Sequence, residues 1–268
     1  MGKRVSAWEL LVPDYFQNKD IADRWIRCGR VYIGNERMRY ASQRVAPDAD
    51  IRIKNYGRKY VGRGGEKLEG ALASLNVQVR DAVVLDAGAC TGGFTDCLLT
   101  HGAKLVYAVE AGTGQLHGRL RNDIRVVNLE HHNIGDPKLL SLSPTPSTAA
   151  VDLSYVSLRY AIPEIVDILH GDGTLVCLVK PLFEIQDATA RRTGIIDNDV
   201  RYVEVLRGLA SFVRGEGYRL FGVARSIIDG SGGTREFFIG LDAGKTVRHE
   251  PLRENTIDAV IDAAVFGP

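Results

Sequence analysis

Residues 83–97, VVLDAGACTGGFTDC, decide the fold. An apolar run passes through Asp86, glycines follow at 88, 92 and 93, and a helix-like segment opens at Phe94. This is the pattern of a buried strand, a tight turn and a helix, and glycine lets the backbone of such a turn pass close to a ligand. A second strand, KLVYAVEA, ends in Glu110, an acid suited to a ribose diol on the next edge of the same crevice. The glycines fall as G-x-x-x-G-G, which is not the dinucleotide fingerprint, and the turn holds no P-loop lysine to meet phosphates. A cofactor with an adenosine and an amino-acid end but no phosphates fits this turn, and that points to S-adenosylmethionine. The candidate cofactor residues are Asp86, Gly88, Cys90, Thr91, Gly92, Gly93, Phe94, Glu110, His131 and Asp152.

Outward from this turn the elements alternate. Strands are expected at 83–87, 104–110, 125–130, 148–153, 174–180, 218–225 and 235–241, and helices at 93–100, 115–121, 158–170 and 199–214. Several strands are continuous apolar runs, as expected where helices cover both faces of a sheet. The last two are joined by IIDGSGG and are expected to pair as an antiparallel hairpin at one sheet end. The fold class is therefore α/β, a Rossmann-like methyltransferase fold with a mostly parallel seven-stranded sheet, preceded by a small α/β module. A further helix, KLEGALASLNV, has Leu68, Ala71, Leu72 and Leu75 as its apolar stripe, and SLSPTPST at 141–148 reads as a surface loop.

The module occupies residues 1–54, residues 55–66 read as a glycine-rich linker or lid, and residues 67–268 form the large domain. In the module, Trp8, Leu11, Ile21, Trp25 and Ile26 are core candidates, Asn18 and Gly29 bound the second helix, and Gly34–Asn35 makes a turn. Arg24, Arg27, Arg30, Arg37, Arg39 and Arg44 crowd it. Residues 1–67 carry 15 Lys and Arg against 8 Asp and Glu, net +7, whereas the rest carries 19 against 25, net −6. A basic front on an acidic body suggests a polyanionic partner, with a solvated basic face as the bland alternative. The cysteines 28, 90, 97 and 177 are scattered without metal spacing, and Cys97 and Cys177 read as core. No stretch approaches the roughly 20 apolar residues of a membrane span, and the opening residues form no signal peptide, so a cytoplasmic location is expected.

With these residues in hand, the chain resembles the TlyA (hemolysin-like) family of RNA 2′-O-methyltransferases, which join an S4-type RNA-binding domain to an FtsJ-like catalytic domain. The resemblance runs through RGGEKLEGAL, LDAGACTGGFTDCLL, VYAVEAGTGQL, LRNDIRVV, VDLSYVSL, LVKPLFE and REFFIGL, and in the front module from DIADRWIRCGRVYIGN onward. It implies a Lys-Asp-Lys-Glu tetrad at Lys67, Asp152, Lys180 and Glu236, S-adenosylmethionine as cofactor, and structured RNA, ribosomal RNA or a ribosomal subunit, as partner. A homo-oligomer stays open. The chain departs from the family pattern at VGRGGEK, KPLFE and RRTGIIDN, at Cys90 where serine is common and at Glu110 where aspartate is common.

A ribose hydroxyl is a poor nucleophile at neutral pH, so a nearby amine is valuable. Lys180, just past an apolar strand, is the candidate base, with positioning of the acceptor as the competing role. Lys67 is expected as its neighbouring cation, Asp152 as its orienting acid and Glu236 as the partner of Lys67 or of the acceptor ribose. Asp86 either braces the turn or meets the cofactor's amino group. His131 or His132 could flank adenine or simply form a surface turn. Phe94 packs its helix on the sheet, while Tyr155 and Phe183 stack on a base or roof the pocket. Two rival functions stand beside RNA methylation: a small-molecule methyltransferase and a non-catalytic RNA-binding protein.

Overall fold

Seven strands answer the sequence pattern: β1 (Val83–Ala87), β2 (Leu105–Glu110), β3 (Val126–Glu130), β4 (Thr148–Val151), β5 (Gly173–Val179), β6 (Arg219–Arg225) and β7 (Phe237–Ala243). The computed structural model describes residues 4–12, 14–16, 18–27, 29–54, 59–185, 187–230 and 232–267, apart from the Arg24 side chain. Cys28 and residues 55–58 of the expected linker lie outside the described residues. The chain divides into two compact units, Met1–Arg58 and Lys59–Pro268.

In the larger unit the strands lie in the order β3-β2-β1-β4-β5-β7-β6. Pairing is parallel from β3 through β5. Only β7 runs against its neighbours β5 and β6, which is the expected hairpin end. Alternate residues along a strand face opposite sides. Leu85, Ala87, Val151 and Cys177 enter one core, under helices Leu158–Ile168, Asp199–Gly215 and Glu254–Phe266. Val84, Ala150 and Val176 enter the other, under helices Arg63–Ser74 and Gly93–Thr100. Both faces are therefore dry, and the strands can be apolar throughout.

Several boundaries move for physical reasons. The helix expected from Lys67 starts at Arg63, capped by Gly62, and Tyr60 is buried in the core beside Leu68. Residues 59–66 are thus packed into the larger unit rather than strung out as a linker or lid. The helix expected at 115–121 shrinks to Gly118–Arg121, because Glu130 Oε1 takes the Gln115 and Leu116 N–H groups at 2.9 and 3.1 Å. The parallel ladder ends at Val151, which leaves Asp152 just outside β4, and β7 starts at Phe237, which leaves Glu236 just before it. The helix Glu254–Phe266, beyond the last expected element, buries Ile257, Ile261, Ala264 and Val265.

The smaller unit has helices Ala7–Leu11 and Lys19–Arg27. Asn18 Oδ1 accepts the Ile21 N–H at 3.0 Å to cap the second helix, and Gly29 follows it with φ +67°. Val31–Ile33 pairs antiparallel with Glu36–Arg37 through the Gly34–Asn35 turn, and with Ile51–Ile53 on its other side. Val5–Ser6 pairs with Arg44–Val45. Leu11 and Ile26 are buried, with Trp8, Ile21 and Trp25 packed partly against them.

Candidate functional site

The carboxyl edge of the sheet gathers the candidate residues. Asp86 is the penultimate residue of β1 and fully buried. Its Oδ2 accepts the Thr95 hydroxyl at 2.5 Å, which braces the strand against helix Gly93–Thr100, while Oδ1 is buried without a hydrogen-bond partner. Burial pushes the carboxyl up to about 7, the Thr95 bond opposes this, and the Asp152 and Glu110 charges add to it. An acid in this state is suited to meet an ammonium group.

The glycines are sterically required. Gly88 has φ +92°, and a Cβ there would collide with the Asp152 carbonyl oxygen. Gly92, with φ +93°, would run into Leu120. A Cβ on Gly93 would come within 3.0 Å of the Gly65 nitrogen and 3.3 Å of Gly64 Cα. The two helix starts, 62–65 and 92–93, are therefore backbone to backbone, which is what the RGG sequence accomplishes. Asp96 fastens the same junction by accepting the Val61 N–H at 2.9 Å and Arg119 Nη2 at 2.6 Å. Phe94 is buried and stacks on Phe238, with ring centroids 6.3 Å apart.

Glu110 ends β2 and reaches over the turn. Its Oε2 accepts the Cys90 N–H at 3.0 Å and its Oε1 the Gly112 N–H at 2.8 Å. Cys90 and Thr91 are exposed at the tip of the turn, and Cys97 and Cys177 are buried. His131 is an exposed residue with φ +63° whose N–H donates to Gly112 O at 3.2 Å. The neighbouring His132 bonds Asp136 at 2.6 Å. The residues fit S-adenosylmethionine: a glycine cradle with no room for side chains, an orphaned buried carboxylate oxygen, and an acid at the end of the second strand.

The four tetrad candidates converge, as two pairs. Lys180 follows β5 directly, and its Nζ lies 2.5 Å from Asp152 Oδ1 and donates to Ser154 Oγ at 2.9 Å. Lys67 forms an ion pair with Glu236, and the two residues are only 9% and 7% exposed. Register explains the meeting. Val179 pairs with Phe237 in the antiparallel β5–β7 ladder, so the next step beyond it sets Lys180 beside Glu236. Lys180 and Glu236 line one cleft of about 330 Å³ with Ser154, Tyr155, Phe183 and Thr234. Gly64 brings the second pair close, since a Cβ there would lie 3.8 Å from Asp152 Oδ2. Asp152 thus faces Lys180 and Glu236 faces Lys67, as expected. Each lysine has a carboxylate of its own, Glu236 for Lys67 and Asp152 for Lys180. Removing one partner of such a buried pair strands the other charge and costs about 3–5 kcal/mol.

Ser154 lines the cleft, Asp96 ties the helix junction behind it and Glu184 sits outside it at the start of helix Leu158–Ile168; the sequence pattern singles out none of the three. Tyr155 is 89% exposed with φ +66°, and its ring lies 5.2 Å from that of Phe183 on the cleft wall. A non-glycine residue at positive φ is uncommon and persists where its surroundings enforce it.

A sheet of this order, with a glycine turn after its first strand and an acid after its second, defines an S-adenosylmethionine-dependent methyltransferase. Residues 60–243 match the FtsJ-like methyltransferase family. The chain is 35% identical over 250 residues to the putative rRNA methyltransferase YqxC of Bacillus subtilis, covering 92% of this chain and 89% of that one. It is 36% identical over 184 residues, 69% of each chain, to the 16S/23S rRNA (cytidine-2′-O)-methyltransferase TlyA of Mycobacterium tuberculosis. The solved structure of a putative hemolysin from Streptococcus thermophilus aligns with a TM-score of 0.72 at 32% identity, over 100% of this chain and 98% of that one. The chain belongs to the TlyA (hemolysin-like) family with an FtsJ-like methyltransferase domain. Among the described residues no helix is long and apolar enough to cross a membrane.

Proposed function

We propose that the protein methylates a ribose 2′-hydroxyl in RNA, with ribosomal RNA as the substrate class, and that Lys67, Asp152, Lys180 and Glu236 form its acceptor site. S-adenosylmethionine supplies a methyl carbon activated by its sulfonium. The observation that carries the acceptor assignment is the double pairing at one cleft: Lys180 with Asp152, and Glu236 with Lys67. Lys180, as the neutral amine after losing a proton to solvent, takes the acceptor hydroxyl's proton as the oxygen–methyl bond would form and the sulfur–methyl bond break, and Asp152 then holds the resulting ammonium. Asp152 fixes the Lys180 amine, and alignment of oxygen and methyl supplies much of the acceleration. Asp86 receives the cofactor's ammonium, Glu110 the ribose diol, and the turn from Gly88 to Phe94 with His131 encloses the rest. The Tyr155–Phe183 wall stacks the acceptor base.

The rRNA methyltransferases of Bacillus and Mycobacterium that the chain resembles support rRNA as the substrate class. The smaller unit supports an RNA partner on its own terms, as an S4-like module. Its surface has a groove of about 640 Å³ lined by Arg27, Arg37 and Arg39 with the single acid Glu36, floored by the buried Ile26 and Met38. Clustered arginines suit folded RNA, whose backbone shape is read through phosphate and 2′-hydroxyl contacts.

The test is transfer of labelled methyl from S-adenosylmethionine to ribosomal subunits, total RNA and a metabolite extract in parallel. Label is expected in rRNA as an alkali-resistant ribose methyl. Label confined to the small-molecule fraction would replace this reading with metabolite methylation, and RNA binding without transfer would replace it with a binding role. Lys180→Met is expected to lower kcat by at least about 100-fold with cofactor affinity retained, the low end of general-base effects. Near-full turnover in that variant would remove Lys180 as base.

A further inference from the structure

β4 and β5 are parallel neighbours, with Val151 opposite Cys177, so the segments leaving them, 152–158 and 180–185, run side by side. Three rungs join those segments. The first is Lys180 with Asp152 and Ser154, and the second is the Tyr155–Phe183 ring contact. The third is Glu184, whose Oε2 accepts the Ser157 hydroxyl and whose Oε1 accepts the Leu158 N–H, both at 2.7 Å. The chain offset is nearly constant from rung to rung, so the segments are zipped in register.

We propose that Glu184 is a positioning residue for methyl transfer, clamping the Asp152-bearing and Lys180-bearing segments so that the acceptor cleft keeps its shape. The proposal rests on the acceptor-site reading above. Glu184 does not line the cleft shared by Lys180 and Glu236; it faces a separate groove with Arg159, Asp187 and Arg201. It therefore acts through Lys180 and Asp152, not on the reacting atoms.

The chemistry of the clamp requires a carboxylate. Ser157 caps helix Leu158–Ile168, but its oxygen accepts the Arg159 N–H at 3.2 Å, so the Leu158 N–H needs another acceptor. Glu184 supplies it across the sheet edge and takes the Ser157 hydroxyl hydrogen with its second oxygen. A negative charge at that helix start also complements the helix dipole. An amide would offer one acceptor where two are used. Between this rung and the Lys180 rung sits Tyr155 at φ +66°, a conformation that persists only where its surroundings enforce it.

The test compares wild type, Glu184→Gln, Glu184→Ala, Lys180→Met and the Lys180→Met/Glu184→Ala double variant in methyl transfer, thermal melting and amide hydrogen exchange. Glu184→Ala is expected to lower kcat on the order of 100-fold, the scale of a misplacement of about 1 Å, with the KM for S-adenosylmethionine unchanged. Glu184→Gln keeps one acceptor and falls between. The double variant is expected to be no slower than Lys180→Met alone, because the clamp acts through that lysine. Leu158 and Arg159 amides are expected to exchange faster in Glu184→Ala. Wild-type kcat per folded molecule in Glu184→Ala, or losses that multiply in the double variant, would overturn the proposal and leave Glu184 a purely structural cap. Failure of wild type to transfer methyl to any acceptor would sink the functional reading instead. Exchange at Leu158 decides the clamp in that case too, with unchanged protection counting against it.

Discussion

Burial among other carboxylates gives Asp86 a proton affinity that the unfolded chain lacks. Its folded value of about 7 lies above the ordinary aspartate value, so the folded state holds the proton more tightly. The associated stabilisation is complete below about pH 4 and is lost as pH rises to about 7, a few kcal/mol in all. Asp86→Asn removes this loss. The melting temperature of the cofactor-free variant, relative to wild type, is therefore expected to rise between pH 5 and pH 8. Affinity for S-adenosylhomocysteine should follow the opposite logic, because the ionised carboxylate is the form that accepts the ligand's ammonium. Calorimetric titration of wild type should show binding tightening up to about pH 7 and levelling above it, with the variant weak throughout. A pH-independent affinity would detach Asp86 from the cofactor. The local sequence gives Asp86 away by its place in VVLDAGACTGG, but not the orphaned oxygen, which depends on Thr95 engaging only one side of the group.

Two helices and a turn must meet without side chains for the tetrad to assemble, and Gly93 is where that requirement is sharpest. The atoms a Cβ would meet there are backbone atoms of residues 62–65, which cannot rotate away. Gly93→Ala is therefore expected to push helix Arg63–Ser74 outward, at about 1–3 kcal/mol for an overpacked contact. That is a drop of roughly 2–4 °C in melting temperature per kcal/mol for a unit of this size. Lys67 rides one turn along the same helix, so methyl transfer should fall as well. Gly215→Ala, where nothing lies within 4 Å, is the control and should melt near wild type. Equal melting of the two variants would show that the helix starts have room to spare. Elements of this kind were legible where a periodic signal is local: all seven strands, the glycine turn and helix Gly93–Thr100. Contacts set by register across the sheet were not. Ser154 and Glu184 find their partners 26 or 27 residues away, and the start of helix Arg63–Ser74 depends on Gly62–Gly65 packing against Gly93. Only family resemblance points to the tetrad in the sequence, and the β5–β7 register supplies the physical reason that Lys180 and Glu236 share an edge. Helix Glu254–Phe266 has apolar spacing at 257, 261, 264 and 265 like that of helix Leu158–Ile168, but it follows the last strand, where the fold pattern no longer asks for an element.

Charge is divided along the whole molecule, with +7 in residues 1–67 and −6 in the remainder. An acidic body repels a polyanion in general, so the proposed RNA affinity must come largely from the basic front. Arg27, Arg37 and Arg39 share one groove there, and the Arg27 side chain is 79% exposed beside Asp23. Contacts between such arginines and phosphates release counterions, and each contributes about 0.7–0.9 to the slope of log affinity against log salt. Replacing all three with Gln should therefore reduce the magnitude of that slope by roughly 2–3 for structured RNA, measured by filter binding between about 50 and 200 mM KCl. Cofactor affinity should be unchanged, since the three belong to the smaller unit and the cofactor residues to the larger one. Circular dichroism guards against a trivial result, because Arg37 Nη2 also donates to Arg27 O at 3.2 Å inside the module. A folded triple variant with the wild-type salt slope would move the phosphate contacts off this groove, and the remaining basic residues of 1–67, such as Arg30, Arg44 and Arg63, would then be the ones to replace.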